Sequence, residues 1–200
     1  KKIGAPVDLI QTIDEPSIEK AKELMAKVDL VIATGGGSMV KSAYSSGTPA
    51  YGVGAGNAVV IVDETADLKA AAEKIFLGKT FDNATSCSSE NSVILLEEIY
   101  AEMLKNLQKH GGYLCSPEER SRLKEMMWPD GRHLNKKIVA QPVKTLAAMA
   151  HIPINKDTTF LMVHGQEISQ NDPFCKEKLS LVLTVWKSQT FEEAIQMVEG

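Results

Sequence analysis

The chain has 200 residues, 44% of them hydrophobic and 24% charged, with a formal net charge of −4 and a pI near 5.6. That is ample apolar material for a packed core, in one large domain or two small ones. The acidic balance, with no basic stripe, argues against nucleic acid as a partner, and no apolar run is long enough to span a membrane.

No apolar stretch stands behind Lys1-Lys2-Ile3-Gly4-Ala5-Pro6, so no signal peptide is expected. Pro6 to Gln11 reads as a short strand. Glu15-Pro16-Ser17 opens a helix running to about Ala26, with Pro near its start and acids in the first turn, where the helix dipole favours them. Leu30 to Ala33 is a continuous apolar run, the mark of a strand covered on both faces. The glycine run Gly35-Gly36-Gly37 follows, then a helix from Met39 to Ser45 that stops at Ser46-Gly47-Thr48-Pro49. Ala50 to Val53 and Ala58 to Val62 read as strands, and Ala66 to Leu77 as an amphipathic helix. Such alternation predicts a parallel α/β sheet. Beyond the loop Thr80 to Asn91, the pattern gives a strand over 92–96, helices over 99–109, 117–127 and 142–150, strands over 158–163 and 179–185, and a last helix over 191–198. A boundary near Lys79-Thr80 divides the chain into 1–79 and 80–200. Residue 1 lies in a strand-like segment and Gly200 closes a helical pattern, so both ends are expected to be cuts within a longer enzyme.

Three widely spaced cysteines, Cys87, Cys115 and Cys175, suit neither a metal site nor a disulfide framework, and imply free thiols in a reducing cytoplasm. Cys87 is the candidate nucleophile. It lies in the small, hydroxyl-rich run Ala84-Thr85-Ser86-Cys87-Ser88-Ser89, where a fold can present a thiol without burying it. The plain alternative is a small buried Cys in a turn. Cys115 and Cys175 read as structural or merely exposed. The four histidines, His110, His133, His151 and His164, fall in loops or at helix ends and read as surface or capping residues. Gly35-Gly36-Gly37 lies between a buried strand and a helix N-terminus, where free N–H groups can meet an anion. It lacks the GxGxxG spacing of the dinucleotide fingerprint, and a tight turn with no ligand explains it equally well. Gly52-Val53-Gly54-Ala55-Gly56-Asn57 also follows a strand. Two glycine clusters at strand ends fit ligand binding at the carboxyl edge of an α/β sheet.

Four motifs occur in order: Val31-Ile32-Ala33-Thr34-Gly35-Gly36, Gly52-Val53-Gly54-Ala55-Gly56-Asn57, Lys79-Thr80-Phe81-Asp82-Asn83 with Cys87 behind it, and Glu177-Lys178-Leu179-Ser180. Over essentially the whole chain the set resembles the CoA-acylating branch of the aldehyde dehydrogenase superfamily, which includes acetaldehyde, succinate-semialdehyde and sulfoacetaldehyde dehydrogenases. The resemblance implies an α/β fold in which the second half of a Rossmann-like cofactor domain (1–79) precedes a catalytic thiol domain (80–200). It implies NAD or NADP as cofactor, CoA as co-substrate, a small aldehyde as substrate and a homo-oligomer at full length. Cys87 matches the thiol that becomes acylated. Thr34, Gly35, Gly36 and Gly54 match the dinucleotide site, and Glu177 matches the acid that holds the nicotinamide ribose. Water-using members carry a Glu near the place where Gly52 stands, and its absence favours CoA as acyl acceptor. The oxyanion-hole Asn, the residues that choose NAD or NADP, and the oligomerisation strand are implied to lie outside residues 1–200, so the piece alone is expected to be inactive. The loop from Asp82 to Asn91 resembles the succinate-semialdehyde and sulfoacetaldehyde members. A non-catalytic nucleotide-binding module, or a Cys-dependent acyltransferase without nicotinamide, are the competing readings. Neither accounts for Glu177 and the paired glycine clusters.

Overall fold

A computed structural model describes residues 4–54, 56–169 and 172–199. These residues form two compact units, divided between Ala55 and Gly56.

The first unit holds helix α1 (Ile18–Lys27), strand β1 (Val31–Thr34), helix α2 (Gly37–Tyr44) and strand β2 (Ala50–Val53). Ser17 caps α1, its hydroxyl accepting from the Lys20 N–H at 3.1 Å. β1 and β2 pair in parallel, Val31 opposite Ala50 and Thr34 opposite Val53. Val31, Ala33 and Ala43 form the core of this unit. Gly52 has a packing reason: a Cβ there would lie 2.6 Å from Val40 Cγ1 and 2.9 Å from Tyr44 Cε2 on α2. The strand expected over Pro6 to Gln11 is not formed. The segment turns instead, the Leu9 N–H reaching the Pro6 carbonyl at 3.4 Å. Its apolar side chains, Val7, Leu9 and Ile10, are exposed, so the segment has no buried face to hold a strand in place.

The second unit runs through strand β3 (Ala58–Val62), helix α3 (Leu68–Thr80), strand β4 (Glu90–Leu96), helix α4 (Glu97–Lys109), strand β5 (Gly112–Leu114) and helix α5 (Pro117–Met127). Helix α6 (Val143–Met149), strands β6 (Phe160–His164) and β7 (Val182–Ser188), and helix α7 (Phe191–Glu199) complete it. Its sheet is parallel throughout, in the order β3-β4-β7-β6-β5. Alternation along β4 serves two cores: Val93 and Leu95 join the larger one with α3, α4, α5 and α6, and Ile94 joins Trp186 and Ala194 of α7. The helices start where local chemistry dictates. Asp67 Oδ1 accepts from Lys69 and Ala70 N–H at 3.0 and 3.1 Å. Ser116 and Glu119 form a reciprocal capping box ahead of Pro117. β3 belongs with this unit because it is laddered to β4. The compact division thus falls earlier than the functional division expected near Lys79. Among the described residues, no helix is long and apolar enough to cross a membrane.

Candidate active site

The two units place their site residues differently. In the first, Thr34 ends β1 and Gly54 follows β2, so both glycine clusters stand at the carboxyl edge of one parallel pair. The Gly35 N–H donates to the Val53 carbonyl at 3.0 Å, which fastens the two clusters together. Gly36 is the N-cap of α2 and no side chain caps the helix. A Cβ at Gly36, Gly37 or Gly54 would meet nothing within 4 Å. An open cradle at an uncapped helix start suits the phosphates of a dinucleotide.

In the second unit the site lies at the amino edge of the sheet. Asn57 precedes β3, Cys87 precedes β4 and Glu177 precedes β7. These strands are parallel neighbours, so their starts lie side by side although the residues are far apart in sequence.

Cys87 is exposed. Just upstream, Asp82, Asn83 and Ala84 adopt left-handed backbone, with φ of 47°, 51° and 59°. Asp and Asn tolerate that region, but Ala84 does not adopt it cheaply. Such a turn persists because its surroundings hold it. The Thr85 hydroxyl donates to the Asp82 carbonyl at 2.6 Å, the Ser89 N–H to the Ser86 carbonyl at 3.0 Å, and the Ser86 and Ser88 hydroxyls pair at 2.8 Å. Gly56 lies against the thiol residue, since a Cβ there would be 3.4 Å from the Cys87 carbonyl oxygen. Cys115 is the contrasting case: burial pushes its thiol up to about 12, which leaves it inert. Burial also raises the thiol of Cys175, whose Sγ lies 3.7 Å from the Glu167 carbonyl oxygen.

Glu177 is half-buried, and burial raises its carboxyl above the usual range. Two ties bring its segment to the thiol. Asn57, next to Gly56, donates to the Cys175 carbonyl at 2.7 Å. Asn91, four residues past Cys87, accepts from the Lys178 N–H at 2.9 Å. From the far side, Arg120 of α5 pairs with Asp172 at 2.7 Å and its guanidinium covers the Phe174 ring at 4.5 Å. Asp172 in turn caps the short turn Pro173–Cys175 through the Phe174 N–H at 3.1 Å. Asn57, Asn91, Arg120, Asp172 and Lys178 were assigned no role from the sequence. Asn57 and Lys178 stand inside quoted motifs, but that they act as ties shows only once the strand order is known. His164 pairs with the Tyr100 hydroxyl through Nδ1 at 2.7 Å, at the carboxyl end of β6 and away from the strand starts that carry Cys87 and Glu177. Among the described residues, no His, Cys, Asp and Glu group is arranged to hold a metal ion.

The fold and site define a class: a parallel α/β unit that presents an exposed thiol near a carboxylate-bearing segment, and a second unit with a glycine-rich turn at an uncapped helix start. Residues 1–114 match the model of the aldehyde dehydrogenase family, and the chain belongs to that family. It is 50% identical to a sulfoacetaldehyde dehydrogenase of an Acholeplasma species over 203 residues, covering 100% of this chain and 42% of the relative. An acetylating aldehyde dehydrogenase of Geobacillus thermoglucosidasius superposes with a TM-score of 0.93 at 37% identity, over 99% of this chain and 44% of that one. A propionaldehyde dehydrogenase of Rhodopseudomonas palustris, solved with bound CoA and an acylated cysteine, superposes with a TM-score of 0.87 at 31% identity, over 98% of this chain and 45% of that one. The chain thus spans less than half the length of each of these.

Proposed function

We propose that the protein of which these residues are part oxidises a small aldehyde to its acyl-CoA, with Cys87 carrying the acyl group. The observation that carries this reading is the juxtaposition of an exposed Cys87 with the Glu177 segment through Asn57 and Asn91. The Cys87 thiolate attacks the aldehyde carbonyl carbon, giving a thiohemiacetal. Loss of a hydride from that carbon and of the hydroxyl proton leaves a thioester on Sγ. The CoA thiolate attacks the thioester carbonyl and Cys87 departs as thiolate, ready for another turnover. Bound NAD(P)+ supplies the hydride acceptor. Glu177 would accept hydrogen bonds from the nicotinamide ribose, while Thr34, Gly35, Gly36 and Gly54 would cradle the dinucleotide. The chain's own contribution is orientation: a thiol and a carboxylate held on the starts of neighbouring strands. On this reading residues 1–79 serve the cofactor and residues 80–200 the thiol chemistry.

The relative named for sulfoacetaldehyde supports a short aldehyde with an anionic group as substrate, with succinate semialdehyde as the next choice. The free thiols Cys87, Cys115 and Cys175 support a cytoplasmic setting, and the resemblance supports a homo-oligomer. Full-length protein, incubated with aldehyde and NAD(P)+ but no CoA, should carry the acyl mass on the peptide holding Cys87, and added CoA should release it as acyl-CoA. A Cys87→Ala protein that still made acyl-CoA would sink the mechanism.

A further inference from the structure

We propose that Lys178 is a positioning residue: it locks the Glu177 segment to the Cys87 side of the sheet and so sets the grip on the cofactor. The proposal rests on the reading of Glu177 as the cofactor-holding acid. Lys178 is fully buried, at 0% exposure, an unusual place for a lysine. Its Nζ donates to the Phe174 carbonyl at 2.9 Å and to the Lys176 carbonyl at 3.1 Å, so the chain from 174 to 178 curls around its own side chain. Its backbone N–H is held by Asn91 Oδ1 at 2.9 Å, and Asn91 is itself buried on β4. The Phe174 carbonyl accepts a second bond, from the Thr184 hydroxyl of β7 at 2.9 Å. Leu179 then adopts a left-handed φ of 43°, a conformation these anchors hold in place. Glu177 therefore lies between a residue whose carbonyl is tied and one whose N–H is tied. A lysine kept only to fill volume would do so less well than methionine, because burying an amine costs more than burying a thioether. The cost is justified if its two N–H donors organise the turn that carries Glu177.

The test uses the full-length enzyme, with KM for NAD(P)+ measured at saturating aldehyde and CoA. Lys178→Met keeps the volume and removes the donors. Asn91→Leu removes the acceptor, and Asn91→Asp keeps one. Glu177→Gln is the reference, and cofactor-free iodoacetamide labelling of Cys87 reports whether the thiol loop is intact. Lys178→Met and Asn91→Leu are expected to raise the KM roughly 10-fold or more, the scale of leaving one buried polar group unpaired. The change should follow that of Glu177→Gln, with Cys87 labelling unaltered and most of the affinity recovered in Asn91→Asp. A raised KM in Glu177→Gln beside wild-type values in Lys178→Met and Asn91→Leu overturns the positioning role alone. A wild-type KM in Glu177→Gln overturns the reading of Glu177 and the proposal with it. If Lys178→Met does not fold, the two Asn91 variants decide.

Discussion

Gly78 in α3 faces the side chain of Glu90, which follows the thiol loop: a Cβ at position 78 would lie 2.5 Å from both carboxylate oxygens. The Ser89 hydroxyl also donates to the Gly78 carbonyl, at 3.2 Å. In most helix interiors, replacing Gly by Ala stabilises by about 1 kcal/mol. Here the sign should invert. The carboxylate would have to leave its seat, where its charge offsets the burial of the neighbouring Lys79 amine. Gly78→Ala is expected to cost roughly 1–3 kcal/mol in denaturant unfolding, the range of an overpacked core. The loss should vanish when Glu90→Ala is added. The adjacent Lys79 is 1% exposed, and burial pulls its amine down to about 7, with the Glu90 charge opposing the fall. The unfolded chain holds this proton up to the ordinary lysine value of 10.5, whereas the folded chain releases it near 7. The unfolded state thus binds the extra proton between these values, so stability should rise with pH across that window. Unfolding midpoints taken at pH 7 and pH 9 should rise more in the wild type than in Lys79→Met. Equal rises would show that Lys79 keeps its proton in the fold.

At the scale of elements, the turn Pro173–Cys175 depends on a pair from distant parts of the chain. Arg120 and Asp172 have side-chain exposures of only 8% and 11%. The Arg120 Nε also donates to the His164 carbonyl at 3.1 Å, tying α5, the end of β6 and the turn into one joint. Removing one partner leaves a buried charge, so Arg120→Met or Asp172→Ala alone should cost about 3–5 kcal/mol. The double variant should cost clearly less than the two combined, and strict additivity in that cycle would count against a coupled pair. Most elements were legible because their signals are local. Pro117 opens α5 where the sequence predicts it, and the apolar runs over 30–33 and 92–96 give β1 and β4, although β1 buries one face and not both, Ile32 being exposed. β5 was not legible: Gly112–Leu114 is three residues long and is specified by its ladder to β6 rather than by any pattern of its own. Lys178 was equally hidden, since a lysine carries no burial signal of its own and only tertiary packing buries it. Cys87 could be read because exposure in a small-residue loop is a local property. That its loop and the Glu177 segment stand at neighbouring strand starts could not, because it depends on β4 and β7 being neighbours.

Across residues 1–200 the two units are unequally packed. The second unit packs a five-stranded parallel sheet on both faces, which is what all-parallel sheets require. The first unit has two strands and a core of Val31, Ala33 and Ala43, while Ile32, Tyr51 and Val53 are 74%, 68% and 53% exposed. Two strands with an uncovered apolar face are marginal by themselves, since independent stability takes three or more or a fuller cover. The thiol and carboxylate belong to the unit with the larger core, and the glycine cradle belongs to the one with the smaller. A fragment spanning residues 56–200 is therefore expected to unfold in a single cooperative urea transition, with slow amide exchange along β4 and β7. A fragment spanning residues 1–55 should exchange fully within the dead time of the measurement. Protected amides in β1 and β2 of the isolated first unit would show that its exposed face does not limit it. The cradle would then stand on a platform as firm as the one beneath the thiol.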